Sequence, residues 1–106
     1  MKREYKAALE IKREPTHPGE ILLHDILPAL GLNVAEAAGK LGVSRQTLYR
    51  ITQGSAAVTP EMAVRFGKLC GNGPELWLNL QQQHDLWCAR RKLGSKIDRI
   101  PTMQEV

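Results

Sequence analysis

The segment at residues 33–54, NVAEAAGKLGVSRQTLYRITQG, predicts two short helices joined by a tight turn. Its first half has apolar residues at the i, i+3, i+4, i+7 spacing of a half-buried helix, at Val34, Ala37, Ala38 and Leu41. Gly42 accepts the left-handed backbone that ends many helices, and Ser44 is a favoured cap for the next one. The segment therefore predicts a helix-turn-helix, and the rest of the fold has to pack around it.

The outer face of the second predicted helix has side chains that suit DNA bases. Arg45 and Tyr49 are four residues apart, as are Gln46 and Arg50, so all four share one face. Arginine pairs with guanine and glutamine with adenine through double hydrogen bonds, which indicates a helix that enters the major groove. The alternative is a solvated helix face. The capped helices, the turn and the Ser-Arg-Gln-Thr opening favour DNA binding.

Length, charge and cysteine content narrow the possible functions. The chain has 106 residues, enough for one small domain, and its net charge of +4 suits a polyanionic partner without requiring one. The sequence lacks an apolar run of membrane-spanning length, so we expect no membrane partner, a cytoplasmic location and reduced thiols. The spacing of Cys70, Cys88, His24 and His84 matches no metal motif, so no metal and no cofactor are expected.

Three regions are predicted along the chain: a charged arm at 1–14, a helical domain at 15–92 and a tail at 93–106. The arm is either a loosely ordered tail or a segment that contacts DNA or a protein partner, and its sequence leaves both open. The tail is predicted to have a brief extended piece at 97–100. We expect no enzyme, because the chain shows no paired carboxylates and no Cys-His or Ser-His arrangement.

Helix-start signals predict an all-α fold of five helices. Proline in the first turn with an early glutamate marks three starts, at Pro18, Pro60 and Pro74, and Thr59 caps the second of these. Pro28 is predicted to bend or shorten the last turn of the first helix. His17 and His24 are interpreted as surface or capping histidines.

The last helix, predicted to run to about residue 92, contains both tryptophans of the chain. Two indoles with long apolar neighbours on a terminal helix indicate a surface that a second subunit completes. The predicted dimer interface comprises Leu76, Trp77, Leu80 and Trp87. The alternative is that both tryptophans cap the core of a single chain.

Three further motifs, together with the helix-turn-helix, resemble one family. HPGEIL at 17–22, VTPEMAVRFGKL at 58–69 and PELWLNLQQQHDLW at 74–87 are similar to the HigA-type, or VapI-like, antitoxins of the lambda-repressor-like (XRE) superfamily. The resemblance covers about residues 15–90. It implies a five-helix DNA-binding domain and a homodimer that represses its own operon and neutralises a HigB-type RNA-cleaving toxin. The alternative is a stand-alone XRE-type regulator without a toxin.

The resemblance also implies roles for individual side chains. The base-reading positions fall on Arg45, Gln46 and Arg50, with Tyr49 beside them. The positions that commonly touch phosphates fall on Ser44, Thr47, Gln53 and Thr59.

Overall fold

A computed structural model describes residues 14–103, so the predicted arm lies outside the described residues except for Glu14. Within this range the predicted all-α, five-helix fold is confirmed, and no strand is present. The helices are α1 at Pro18–Leu30, α2 at Val34–Leu41, α3 at Arg45–Thr52, α4 at Pro60–Cys70 and α5 at Pro74–Leu93. A 3₁₀ helix at Gly94–Arg99 follows, where we predicted an extended piece. That prediction was wrong for residues 97–99, and Ile100, the residue after the 3₁₀ helix, has an extended backbone.

The cap of α1 explains the role of His17. Its Nδ1 accepts a hydrogen bond of 2.9 Å from the Gly19 N–H, so the capping interpretation is confirmed. Its ring is not at the surface, however, because it is buried against the His84 ring in a T-shaped arrangement with 5.0 Å between centroids. Burial, followed by the nearby His84, lowers the pKa of His17 and favours the neutral ring that accepts this bond. His24 is exposed, as predicted.

Pro28 affects α1 differently from our prediction. The helix is π-helical over Leu22–Ile26 and α-helical on either side, and it continues through Pro28 to end before Gly31. A proline cannot donate to the carbonyl four residues earlier, which here belongs to His24. The wider π turns accommodate that missing bond, so the disturbance precedes the proline instead of shortening the last turn.

The core lies where all five helices meet, and Trp77 is among its largest members. Its side chain is 1% exposed and meets Phe66 edge-on with 5.2 Å between ring centroids. The indole N–H donates a 3.0 Å hydrogen bond to Asn72 Oδ1. Trp77 therefore belongs to the core of its own chain, and its predicted place at a dimer interface was wrong.

Gln81 joins the loop before α4 to α5 and is one of the few buried polar side chains. Its Oε1 accepts a 2.8 Å hydrogen bond from the Val58 N–H, and its Nε2 donates to Asp85 at 2.9 Å. A buried amide is stable only when its polar atoms are paired, as they are here. This contact holds α5 against the start of α4.

The helices within residues 14–103 are short or polar compared with a membrane span. No single helix there is both long and apolar enough to cross a membrane, and only α1 and α2 taken together, which are bent by 91°, have the necessary length and composition.

The close contact of α1 with α3 gives a stability prediction. A Cβ on Gly19 would overlap the Ile51 carbonyl of α3, so Gly19→Ala should lower the free energy of unfolding by about 1–3 kcal/mol or more. Gly39→Ala is the matched control, because a Cβ there meets nothing within 4 Å and should add about 0.5–1 kcal/mol. Urea unfolding followed by circular dichroism measures both. Equal stability of the two variants would refute the close packing of α1 on α3.

Candidate nucleic-acid interface

Hydrogen bonds at both ends define the first helix of the motif. Asn33 Oδ1 accepts the Glu36 N–H at 2.8 Å, and Glu36 Oε1 accepts the Asn33 N–H at 3.2 Å, which together form a capping box. At the other end Gly42 has a positive φ of 73°, and the Val43 N–H donates to the Ala38 carbonyl at 3.1 Å. The chain thus turns sharply into α3.

The inner face of α3 is anchored in the core. Leu48 and Ile51 are buried, with exposed fractions of 0% and 2%. Ser44 caps the helix, since its Oγ accepts the Thr47 N–H at 3.0 Å and donates to Thr47 Oγ1 at 2.7 Å. The helix therefore has one fixed orientation, which determines the face that points outward.

The four predicted base-reading residues lie together on the outward face. Arg45, Gln46, Tyr49 and Arg50 are all exposed, and at 100° per residue they fall within an arc of about 140°. Among residues 14–103 the side chains of Arg45, Gln46 and Arg50 make no hydrogen bond or ion pair. A ligand that binds this face would therefore not have to displace any partner of these three side chains among residues 14–103.

Three of the four predicted phosphate-contacting residues line one shallow groove. Ser44, Thr47 and Thr59, together with Arg50, border a space of about 440 Å³ between the starts of α3 and α4. Thr59 caps α4 by accepting the Met62 N–H at 3.2 Å. Two helix N-termini meet at this groove, and each has a partial positive charge that favours an anion. Gln53 lies outside the groove, exposed at the C-terminal cap of α3.

Sequence reasoning missed Arg65, which borders the same groove. Its Nη1 donates a 2.6 Å hydrogen bond to the Leu41 carbonyl at the end of α2, and its Nη2 forms a 3.1 Å ion pair with Glu61. The i, i+4 spacing of Glu61 and Arg65 indicated the ion pair. The contact with Leu41 depends on how α2 and α4 pack, which no local pattern reveals.

The remaining predicted interface residues lie on α5, away from the core. Leu76 is 45% exposed, whereas Leu80 and Trp87 are half-buried, and the Arg91 guanidinium lies 5.2 Å from the centre of the Trp87 ring. These three residues form a stripe about 40° wide along the helix, and Trp77 lies about 100° from Leu76. This angle explains why Trp77 faces the core and Leu76 does not.

Comparison with known proteins places this architecture in a family. Residues 3–78 match the family described as "Helix-turn-helix domain". The chain belongs to the helix-turn-helix family.

Named relatives indicate the branch of that family. A relative named antitoxin HigA-1, from Vibrio cholerae, is 35% identical over 81 residues, which is 76% of each chain. An uncharacterized HTH-type transcriptional regulator from Haemophilus influenzae is 44% identical over 75 residues, 71% of this chain and 70% of the relative. The resemblance to HigA-type helix-turn-helix proteins is thus confirmed.

A solved structure supports the same placement. The antitoxin HigA of Pseudomonas aeruginosa, solved with the higBA promoter, is 31% identical to this chain and superposes with a TM-score of 0.80. The match covers 85% of this chain and 99% of that one. The fold is thus shared with an antitoxin that was solved together with a promoter.

Proposed function

We propose that this helix-turn-helix protein is a homodimeric antitoxin that represses its own operon and neutralises a HigB-type RNA-cleaving toxin. The observation that supports DNA reading is the exposed face of α3, where Arg45, Gln46, Tyr49 and Arg50 lie together. In this proposal they contact base edges in the major groove. The neighbour from Pseudomonas aeruginosa, whose structure contains a promoter, supports the same use of the fold.

Affinity in this proposal comes mainly from phosphate contacts. The Thr47 N–H donates to Ser44 Oγ, and the Thr47 hydroxyl oxygen accepts from the Ser44 hydroxyl. In this proposal the hydroxyl hydrogen of Thr47 donates to a phosphate. Ser44 and Thr59 act through the helix starts that they cap, and Gln53 contacts the strand at the other end of α3. The net charge of +4 adds long-range attraction that weakens as salt rises.

The dimer is proposed to form along the apolar stripe of α5. Leu76 is the most exposed member, and Leu80 and Trp87 continue the stripe towards the end of the helix. Helix-turn-helix proteins commonly pair so that two recognition helices read half-sites one helical turn apart. The stripe lies on α5 and leaves α3 free in each subunit.

Toxin neutralisation is supported by the relative that bears an antitoxin name. The toxin is proposed to bind away from α3, at the arm, at α1 or at the exposed part of α5. The second candidate function is a stand-alone regulator without a toxin, which the relative named as a transcriptional regulator favours.

Replacement of Arg45 tests base reading. Arg45→Ala should weaken binding to the promoter upstream of this gene by about 5- to 150-fold, since one good base contact contributes about 1–3 kcal/mol. Fluorescence anisotropy at two salt concentrations, with a random duplex in parallel, measures this. Arg99→Ala removes the same charge from an exposed residue after α5 and should have little effect. An equal loss of affinity for the promoter and for random DNA would show that Arg45 contacts only phosphates.

Oligomeric state tests the apolar stripe. Leu76→Glu should convert the dimer to a monomer in sedimentation at micromolar concentration, because a carboxylate in an apolar interface is strongly unfavourable. Leu30→Glu is a close control, since Leu30 is 46% exposed and Leu76 45%. A monomeric native chain, or a dimer that dissociates only with Leu30→Glu, would contradict the proposed interface.

Co-expression with the product of the adjacent gene tests the antitoxin role. The chain should relieve the growth arrest that this product causes, and Arg45→Ala should relieve it equally, because α3 faces DNA in this proposal. A chain without residues 1–13 shows whether the arm contributes. If the adjacent gene causes no arrest, or if the native chain does not relieve it, the stand-alone regulator is the better description.

A further inference from the structure

Three side chains from distant parts of the sequence meet on the surface of the domain. His84 and Cys88 are four residues apart on α5, and Glu14 lies shortly before α1. His84 Nε2 is 3.6 Å from Glu14 Oε1 and 3.7 Å from Cys88 Sγ, and Cys88 Sγ is 3.6 Å from Glu14 Oε1. The three donor atoms therefore form a nearly equilateral triangle.

The tautomer of His84 follows from its other contact. Its Nδ1 lies 2.9 Å from the Pro15 carbonyl oxygen, which can only accept, so Nδ1 carries the proton. In the neutral ring Nε2 then directs a lone pair towards the Glu14 carboxylate and the Cys88 sulfur. The Cys88 thiol donates to Glu14 Oε1 at 3.6 Å, and a metal cation held by all three atoms would replace this long contact.

The size of the triangle fits a transition-metal ion. Zinc lies about 2.0–2.3 Å from nitrogen, oxygen and sulfur ligands, which in tetrahedral geometry separates ligand atoms by about 3.3–3.6 Å. The observed separations of 3.6–3.7 Å are close to these values. A thiolate, an imidazole and a carboxylate are a ligand set that zinc accepts.

From this geometry we infer that Glu14, His84 and Cys88 form a site for a divalent transition-metal ion of the zinc type. The fourth position is open to water, since the Glu14 side chain is 52% exposed. The Pro15 carbonyl and the T-shaped contact with the His17 ring orient His84, as outer contacts orient ligands in known metal sites. The site shares no residue with the α3 face, so this inference does not depend on the proposed DNA binding.

The thiol has to lose its proton when the metal binds. Burial, followed by the neighbouring Glu14, raises the pKa of Cys88 when no metal is bound. A divalent cation reverses this balance, because it favours the thiolate, and its binding releases a proton.

Titration of the reduced, metal-free full chain with Co²⁺ tests the site. We expect one Co²⁺ per chain, with a sulfur-to-cobalt charge-transfer band in the near ultraviolet and the visible bands of tetrahedral cobalt, and displacement by Zn²⁺. Cys88→Ser should abolish the charge-transfer band, and Glu14→Gln should weaken binding by about ten-fold or more. Cys70→Ser is the control, because this half-buried thiol lies on α4, outside the cluster.

Folding is checked separately by circular dichroism in the presence of a chelator, where all variants should melt close to the native chain. Zn²⁺ should raise the melting temperature of the native chain and of Cys70→Ser, but not that of Cys88→Ser, since a ligand stabilises only the state that binds it. The inference is overturned if the native chain gives no charge-transfer band at micromolar Co²⁺. It is also overturned if the band persists in Cys88→Ser or disappears in Cys70→Ser.

Discussion

The contact between the backbones of α1 and α3 is the constraint on which the rest of the molecule depends. Gly19 lies so close to the Ile51 carbonyl that no side chain fits between the two helices. Because α3 cannot rotate or lift at this point, Leu48 and Ile51 stay in the core and the opposite face stays in solvent. The buried cap at His17 holds the start of α1 in the same place. The exposed polar side chains of α3 are thus held in a fixed orientation relative to the rest of the domain.

Local signals in the sequence were sufficient for the helices and for the outer face of α3. Caps such as Asn33 and Ser44 act within one turn, so their effect can be read from neighbouring residues. The spacing of Arg45, Gln46 and Arg50 likewise determines a shared face as soon as the segment is helical. The grouping of these side chains on one face of α3 could therefore be predicted from the sequence, whereas their contacts with DNA stay predictions.

Features that depend on long-range packing could not be predicted in the same way. Trp77 and Leu76 are adjacent in sequence, and only the docking of α5 on α4 decides which of them is buried. The burial of His17 requires His84, from a helix far along the chain. The triangle around Cys88 had a partial signal, the i, i+4 spacing of His84 and Cys88, but its third member precedes the first helix. Spacing rules for metal ligands miss a site that is assembled in this way.

The position of Arg65 has a mechanical consequence. Its guanidinium connects the last carbonyl of α2 to Glu61 in the first turn of α4, beside the groove where two helix starts meet. This charge-assisted hydrogen bond ties α4 to the end of α2 beside the groove, so the domain resists movement of these two helices. When a protein surface is rigid, its partner has to change shape on binding. If a duplex is the ligand, the double helix has to bend or narrow to fit, and stiffness of base steps that no side chain touches becomes part of what is recognised.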